Sequence, residues 1–110
     1  MMIELFNEHP EEAMITKEEA KKCVGEGWGS LLDELYSGLS NTASVTDVKE
    51  KWGGLRTELI YATKEDLDLS DLIEGKSLFI CEGCGKKGKL RPDLGWKKTL
   101  CNRHYNELIS

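Results

Sequence analysis

The sequence lacks long apolar runs, internal repeats and low-complexity tracts. No stretch approaches the roughly 20 apolar residues of a membrane span, so we expect no membrane segment. The acidic start lacks the basic region of a secretory signal, and we therefore expect a cytoplasmic protein. No phosphate-loop or dinucleotide fingerprint follows the Gly53-Gly54 pair, which leaves no nucleotide-binding motif there.

Four side chains near the C-terminal end have the spacing of a zinc site. Two residues separate Cys81 from Cys84, two separate Cys101 from His104, and sixteen lie between the pairs. A two-residue gap lets both side chains of a pair turn toward one point. The sequence therefore predicts one Zn²⁺ per chain. Because four protein ligands leave no position for water, we interpret the zinc as structural.

The elements predicted around these ligands resemble the treble-clef class of zinc finger. A knuckle at residues 81–85 precedes a hairpin over residues 88–100, which turns at 92–95, and a helix carries the last two ligands. The resemblance implies a fold and a metal, because treble clefs serve structural, nucleic-acid and nuclease functions. An HNH-type nuclease would need a catalytic histidine on the hairpin, and none lies between the ligand pairs. The other histidine, His9, we interpret as a solvated surface residue.

The net charge of −5 conceals a division along the chain. Residues 76–110 carry eight basic and three acidic side chains, against seven basic and seventeen acidic ones before them. We predict an acidic α+β body over residues 1–76 and a zinc module over residues 77–110. The module's positive charge suits a separate binding surface or stabilises the thiolates. With three cysteines assigned to zinc, Cys23 stays unpaired, which favours a reducing compartment.

The body is predicted to begin with two helices separated by a glycine-rich corner. Thr16 and Glu19 form a capping box that opens a helix over residues 17–24. Three glycines among residues 25–29 interrupt it. We expect Trp28 and Cys23 to be buried near this corner. The second helix carries an apolar stripe of Leu31, Leu32, Leu35, Tyr36 and Leu39.

A β-hairpin and a third helix complete the predicted body. Gly53-Gly54 lies between strand-like segments 45–52 and 55–61 and predicts a two-residue turn. Thr63 and Asp66 form a second capping box, whose helix is expected to end at Gly75. Residues 77–80 are then expected to enter the knuckle as a strand.

The hairpin tip has two interpretations. Trp52 either anchors the hairpin to the core or, beside basic side chains, stacks on a base or anchors a protein interface. The candidate partner-binding residues are Trp52, Lys49, Lys51, Arg56, Lys86, Lys87, Lys97 and Lys98.

Three segments together resemble small uncharacterised proteins of bacteria, phages and prophages. They are Gly-x-Gly-Trp-x-x-Leu-Leu at residues 25–32, Val-Lys-Glu-Lys-Trp-Gly-Gly-Leu-Arg at 48–56, and the Cys-x-x-Cys-Gly to Thr-Leu-Cys-x-x-His region at 80–104. The resemblance implies a mobile-element setting, in which small acidic proteins often bind a host factor. It implies no activity.

The sequence therefore predicts a small α+β domain, with helices on an antiparallel hairpin and a C-terminal treble-clef zinc module. The function we expect is that of a non-enzymatic interaction protein that binds a protein, with weak nucleic-acid binding at most. Two alternatives stay open: an anti-defence inhibitor whose acidic body blocks the channel of a host nuclease, and a degenerate HNH-type nuclease. Oligomeric state is not indicated.

Overall fold

The structure is a computed structural model that describes residues 14–109, so His9 lies outside the described residues. Four α-helices and two antiparallel hairpins within residues 14–109 confirm the predicted α+β class. No helix within residues 14–109 combines the length and apolarity needed to cross a membrane. The elements are α1 Lys17–Lys21, a 3₁₀ helix Glu26–Trp28, α2 Gly29–Gly38, β1 Ser44–Lys51, β2 Gly54–Ile60, α3 Lys64–Ser77, β3 Lys89–Arg91, β4 Lys98–Leu100 and α4 Asn102–Ile109.

The first helix is capped as predicted but is shorter than expected. The Thr16 hydroxyl accepts from the Glu19 amide, and the Glu19 carboxylate accepts from the Thr16 amide. The helix ends at Lys21, before Cys23. The prediction that Cys23 is buried is therefore wrong: its thiol is exposed and donates to the Glu19 carbonyl.

The core lies between α2, α3 and the hairpin formed by β1 and β2. The predicted stripe of α2 is confirmed, since its three leucines are buried and Tyr36 and Leu39 are partly buried. Trp28 is fully buried, as expected. The buried apolar cluster consists of Ala20, Trp28, Leu31, Leu32, Leu35, Val45, Val48, Leu55 and Ile73.

The loop of this hairpin lies one residue earlier than predicted. Lys51 pairs with Gly54, so the two loop residues are Trp52 and Gly53, with φ of 58° and 83°. Positive φ at both positions is what a type I′ turn requires. This register pairs Leu55 with Glu50 and not with Trp52. Leu55 is buried in the core, while Trp52 stands at the tip with 63% of its surface exposed.

Helix α3 continues beyond Gly75, which corrects the predicted end of this helix. A Cβ at Gly75 would meet nothing within 4 Å, and the helix runs on to Ser77. The Ser77 hydroxyl donates to the Glu74 carbonyl and accepts from the Leu55 amide at 2.9 Å, which ties the helix end to β2. The strand predicted over residues 77–80 is therefore absent, and only Ile80 forms an isolated bridge there, with Lys87.

Candidate metal centre

The first ligand pair lies in a tight turn that follows α3. The Cys81 amide donates to the Lys86 carbonyl at 2.7 Å, and the Gly85 amide donates to the Cys81 carbonyl at 2.9 Å. Gly85 has a φ of 83°, a conformation that suits glycine. These bonds close the chain around Cys84 and turn both thiols of the pair to the same side.

The second ligand pair lies at the start of α4. The Tyr105 amide donates to the Cys101 carbonyl at 2.9 Å, which places Cys101 immediately before the first residue of α4. His104 is therefore one turn further on and lies on the same helix face as Cys101. The antiparallel pairing of β3 with β4 returns the chain from the first pair to the second.

The four predicted ligands meet at one point. All of their ligand atoms lie within 4.8 Å of one another. The His104 Nδ1 is 3.4 Å from the Cys81 Sγ and 3.3 Å from the Cys101 Sγ, and the Cys84 and Cys101 sulfurs are 3.8 Å apart. The four side chains could hold a single metal ion.

No known protein family, curated protein or solved structure matches this chain. The donor set and its surroundings therefore carry the functional argument.

The three thiols differ in how readily they ionise. Burial raises the pKa of Cys81, but backbone amides, led by those of Cys101 and Cys84, outweigh it and bring the pKa below its usual value. The His104 amide lowers the pKa of Cys101. The Lys86 amide favours a thiolate at Cys84, yet burial and the two neighbouring sulfurs outweigh it and raise that pKa. A cation among the three sulfurs would favour the thiolate form of all three.

The glycine-rich corner of the body supports the knuckle, a function that the sequence did not indicate. A Cβ at Gly27 would lie 1.9 Å from the Cys81 carbonyl oxygen, and one at Gly25 would lie 2.2 Å from that of Glu82. The Gly27 amide donates to the Glu82 carbonyl at 2.8 Å, and the Trp28 indole donates to the Ile80 carbonyl at 2.9 Å. The two glycines lack side chains at the point where two backbones touch.

The tip of the body hairpin makes a second contact with the module. The buried Thr99 hydroxyl donates to the Gly53 carbonyl at 2.7 Å, and a Cβ at Gly53 would lie 2.5 Å from the Leu90 Cδ1. The Thr99 amide donates to the Glu82 carboxylate, whose other oxygen lies 3.5 Å from the Lys98 Nζ. Burial raises the pKa of Glu82 despite these partners. The segments at residues 25–32 and 48–56 thus both contact the segment at residues 80–104.

Arg91 joins the second hairpin to α4 and was not among the predicted site residues. Its buried guanidinium donates to the Leu100 carbonyl and to the Asn102 side chain, and it lies 4.2 Å from the centre of the Tyr105 ring. The Tyr105 hydroxyl donates to the Asp93 carboxylate in the hairpin turn. These contacts hold the strand that precedes Cys101 against the helix that follows it.

The predicted partner-binding residues do not form one surface in the structure. One cleft is lined by Lys49, Lys51, Trp52 and Lys97, together with Trp96, which was not among the predicted site residues. The other candidates lie elsewhere: Arg56 faces Glu74 of α3 at 3.8 Å, Lys98 pairs with Glu82, Lys87 lines a groove beside Phe79, and Lys86 is exposed on the knuckle.

Proposed function

We propose that the Cys3His cluster binds one structural Zn²⁺ and that the chain is a non-enzymatic, zinc-stabilised interaction protein. The separation of the ligand atoms carries this proposal. Tetrahedral zinc bonds imply about 3.8 Å between two sulfurs and about 3.6 Å between a sulfur and a nitrogen. Here the Cys84 and Cys101 sulfurs are 3.8 Å apart, the Cys81 and Cys101 sulfurs lie 3.3–3.4 Å from Nδ1, and all four ligand atoms lie within 4.8 Å of one another. Cys81, Cys84, Cys101 and His104 would supply all four bonds.

A structural function for the metal follows from the number of protein ligands. With four in place, no coordination position is left for the water that zinc activates in hydrolases. The order knuckle, hairpin, helix supports a treble-clef-like zinc finger. Its strands have three residues each, and α4 has no buried residue, so the metal would contribute much of the module's stability.

Metal analysis with two cysteine variants tests the zinc assignment. Purified wild-type protein should carry one zinc per chain, and Cys101→Ser should lose it together with the folded module. Cys23→Ser is the matched control, because the exposed Cys23 thiol lies outside the cluster and its loss should leave the zinc content unchanged. Zinc absent from the wild type, or retained at full content by Cys101→Ser, would refute the assignment.

A protein is the partner class that the chain's surface favours. Several large apolar side chains are exposed, among them Trp52, Phe79 and Trp96 at 63–67%. Trp52 and Trp96 line one cleft, and adjacent exposed apolar side chains favour protein contacts. The excess of acidic residues before position 76 opposes a polyanionic partner. Together with the resemblance to small phage and prophage proteins, these features support a cytoplasmic protein of a mobile element that binds a host protein.

Capture from the native host tests the partner class. The tagged chain should retain one defined host protein at a constant ratio to the tagged chain. Nuclease treatment should leave that protein bound. Captured nucleic acid without a stoichiometric protein would show that the partner class is wrong.

A further inference from the structure

A cleft of about 390 Å³ opens between the tips of the two hairpins. Trp52 and Trp96 form its walls with Leu94, and both indoles expose about two thirds of their surface. The remaining lining is largely basic, with Lys49, Lys51 and Lys97 at the rim. Apolar walls with a charged rim are the composition of a binding pocket, not of a solvated loop.

Glu50 fixes the shape of this cleft. Its Oε1 accepts from the Trp96 indole at 3.1 Å, and its Oε2 accepts from the Gly53 amide at 2.7 Å. One carboxylate thus joins the turn of the second hairpin to the tip of the first. The Lys97 Nζ lies over the Trp52 ring, 5.6 Å from its centre, within the range of a cation–π interaction.

The residues that line the cleft carry a net positive charge. Glu50 supplies the one carboxylate among the described lining residues, against three lysines. Lys49 lies 3.6 Å from Asp47, whereas Lys51 and Lys97 form no ion pair within residues 14–109. An occupant of matching charge would therefore carry carboxylates.

The backbone at Trp52 is unfavourable for the residue it carries. A φ of 58° disfavours a bulky side chain, and a type I′ turn ordinarily places Asn or Asp there. Trp52 gains little burial in return, since most of its side chain is exposed. A residue that violates a local rule without a packing gain marks a functional position.

We propose that this cleft binds an acidic peptide segment of a partner protein. An apolar side chain of the segment would lie between Trp52 and Trp96, with carboxylates beside Lys51 and Lys97. The inference rests on the proposed function, in that it names the surface that meets the protein partner. A nucleic-acid strand carries a phosphate at every nucleotide, so the acidic body would repel it more strongly than a short segment with two carboxylates, over a screening length of about 8 Å.

Indole N–H signals of ¹⁵N-labelled, zinc-loaded protein give a direct test, since the buried Trp28 serves as an internal control. The probe is a pool of acetylated heptapeptides with a central Leu, Phe or Trp flanked by Asp and Glu. The control pool replaces the acids with Lys. The acidic pool should shift the signals of Trp52 and Trp96 and leave that of Trp28 in place, and the basic pool should shift none.

Three variants separate the cleft from the fold. Trp52→Asn suits the turn and should abolish the shift at Trp96. Lys51→Glu should weaken peptide binding by about tenfold or more, the ratio expected for a lost charge-assisted contact. Lys22→Glu, an equal charge change at an exposed residue outside the cleft, should keep the wild-type affinity.

Three results would overturn the inference: equal shifts with acidic and basic pools, no shift with either, or tighter binding of an oligothymidylate in the same cleft. Retention of the host protein by Trp52→Asn would also reject the cleft and leave the proposed function intact. Failure of the wild type to bind any host protein would reject the proposed function itself.

Discussion

Gly27→Ala should detach the knuckle from the body while leaving all four candidate ligands in place. The added Cβ would lie 1.9 Å from the Cys81 carbonyl oxygen and 2.6 Å from the Gly85 amide nitrogen, and neither backbone atom can rotate away. Overpacking of this kind costs about 1–3 kcal/mol. Separation of the two backbones would also break the amide bond of Gly27 to Glu82 and weaken the indole bond of Trp28 to Ile80, at about 0.5–1.5 kcal/mol each. We expect a total loss of about 2–6 kcal/mol.

Urea denaturation in zinc-containing buffer measures this loss, with Gly75→Ala as the matched control. A Cβ at Gly75 meets nothing within 4 Å on an exposed helix, so this variant should gain about 0.5–1 kcal/mol. Zinc content should stay at one per chain in both. A Gly27→Ala variant as stable as the wild type would refute the docking argument, as would an equal loss in Gly75→Ala.

Two further predictions concern polar contacts. Thr99→Val should lower the free energy of unfolding in urea by about 1–3 kcal/mol, because the buried Gly53 carbonyl loses its donor. Thr46→Val removes an exposed hydrogen bond and should change the stability little. Equal losses in the two variants would contradict this prediction. Hydrogen bonds from the Ser40 hydroxyl and from backbone amides lower the pKa of Asp66 from 3.8 to about 2. The stabilisation of the folded state by ionised Asp66 is therefore fully present above pH 3.8 and is lost as the pH falls through about 2. The stability advantage over Asp66→Asn should therefore narrow across that interval, and a constant difference between urea midpoints would contradict it.

Features that depend on short sequence separations were predictable. Both capping boxes join residues three apart, and each forms because side chain and amide face one another within one helical turn. The ligand pairs are equally local, and a hairpin of ordinary length brings the two pairs together. Spacing alone therefore indicated the donor set.

Features that depend on contact between distant segments were not predictable. Glu50 reaches Trp96 across 46 positions, and no periodicity connects them. In the sequence, the glycines of residues 25–29 indicate an interruption between two helices. In the structure, Gly25 and Gly27 leave room for the backbone of the knuckle, which lies more than fifty residues away in the chain. The hairpin turn was predicted one residue too late for the same reason. Burial of Leu55 selects a register that puts Trp52 in a conformation with positive φ, which glycine ordinarily adopts.

The absence of any buried residue in α4 has a consequence for how the protein responds to its surroundings. The helix has eight residues, fewer than the about 12–15 at which isolated helices become even marginally stable in water. With the proposed zinc bound, Cys101 and His104 would fix its first turn, and removal of the metal would release the helix into the ensemble of an unstructured tail. The conformation of the C-terminal segment would then depend on the free zinc concentration. A molecule that binds only the folded α4 would raise the affinity of the four ligands for zinc, by the same factor by which zinc raises the affinity for that molecule.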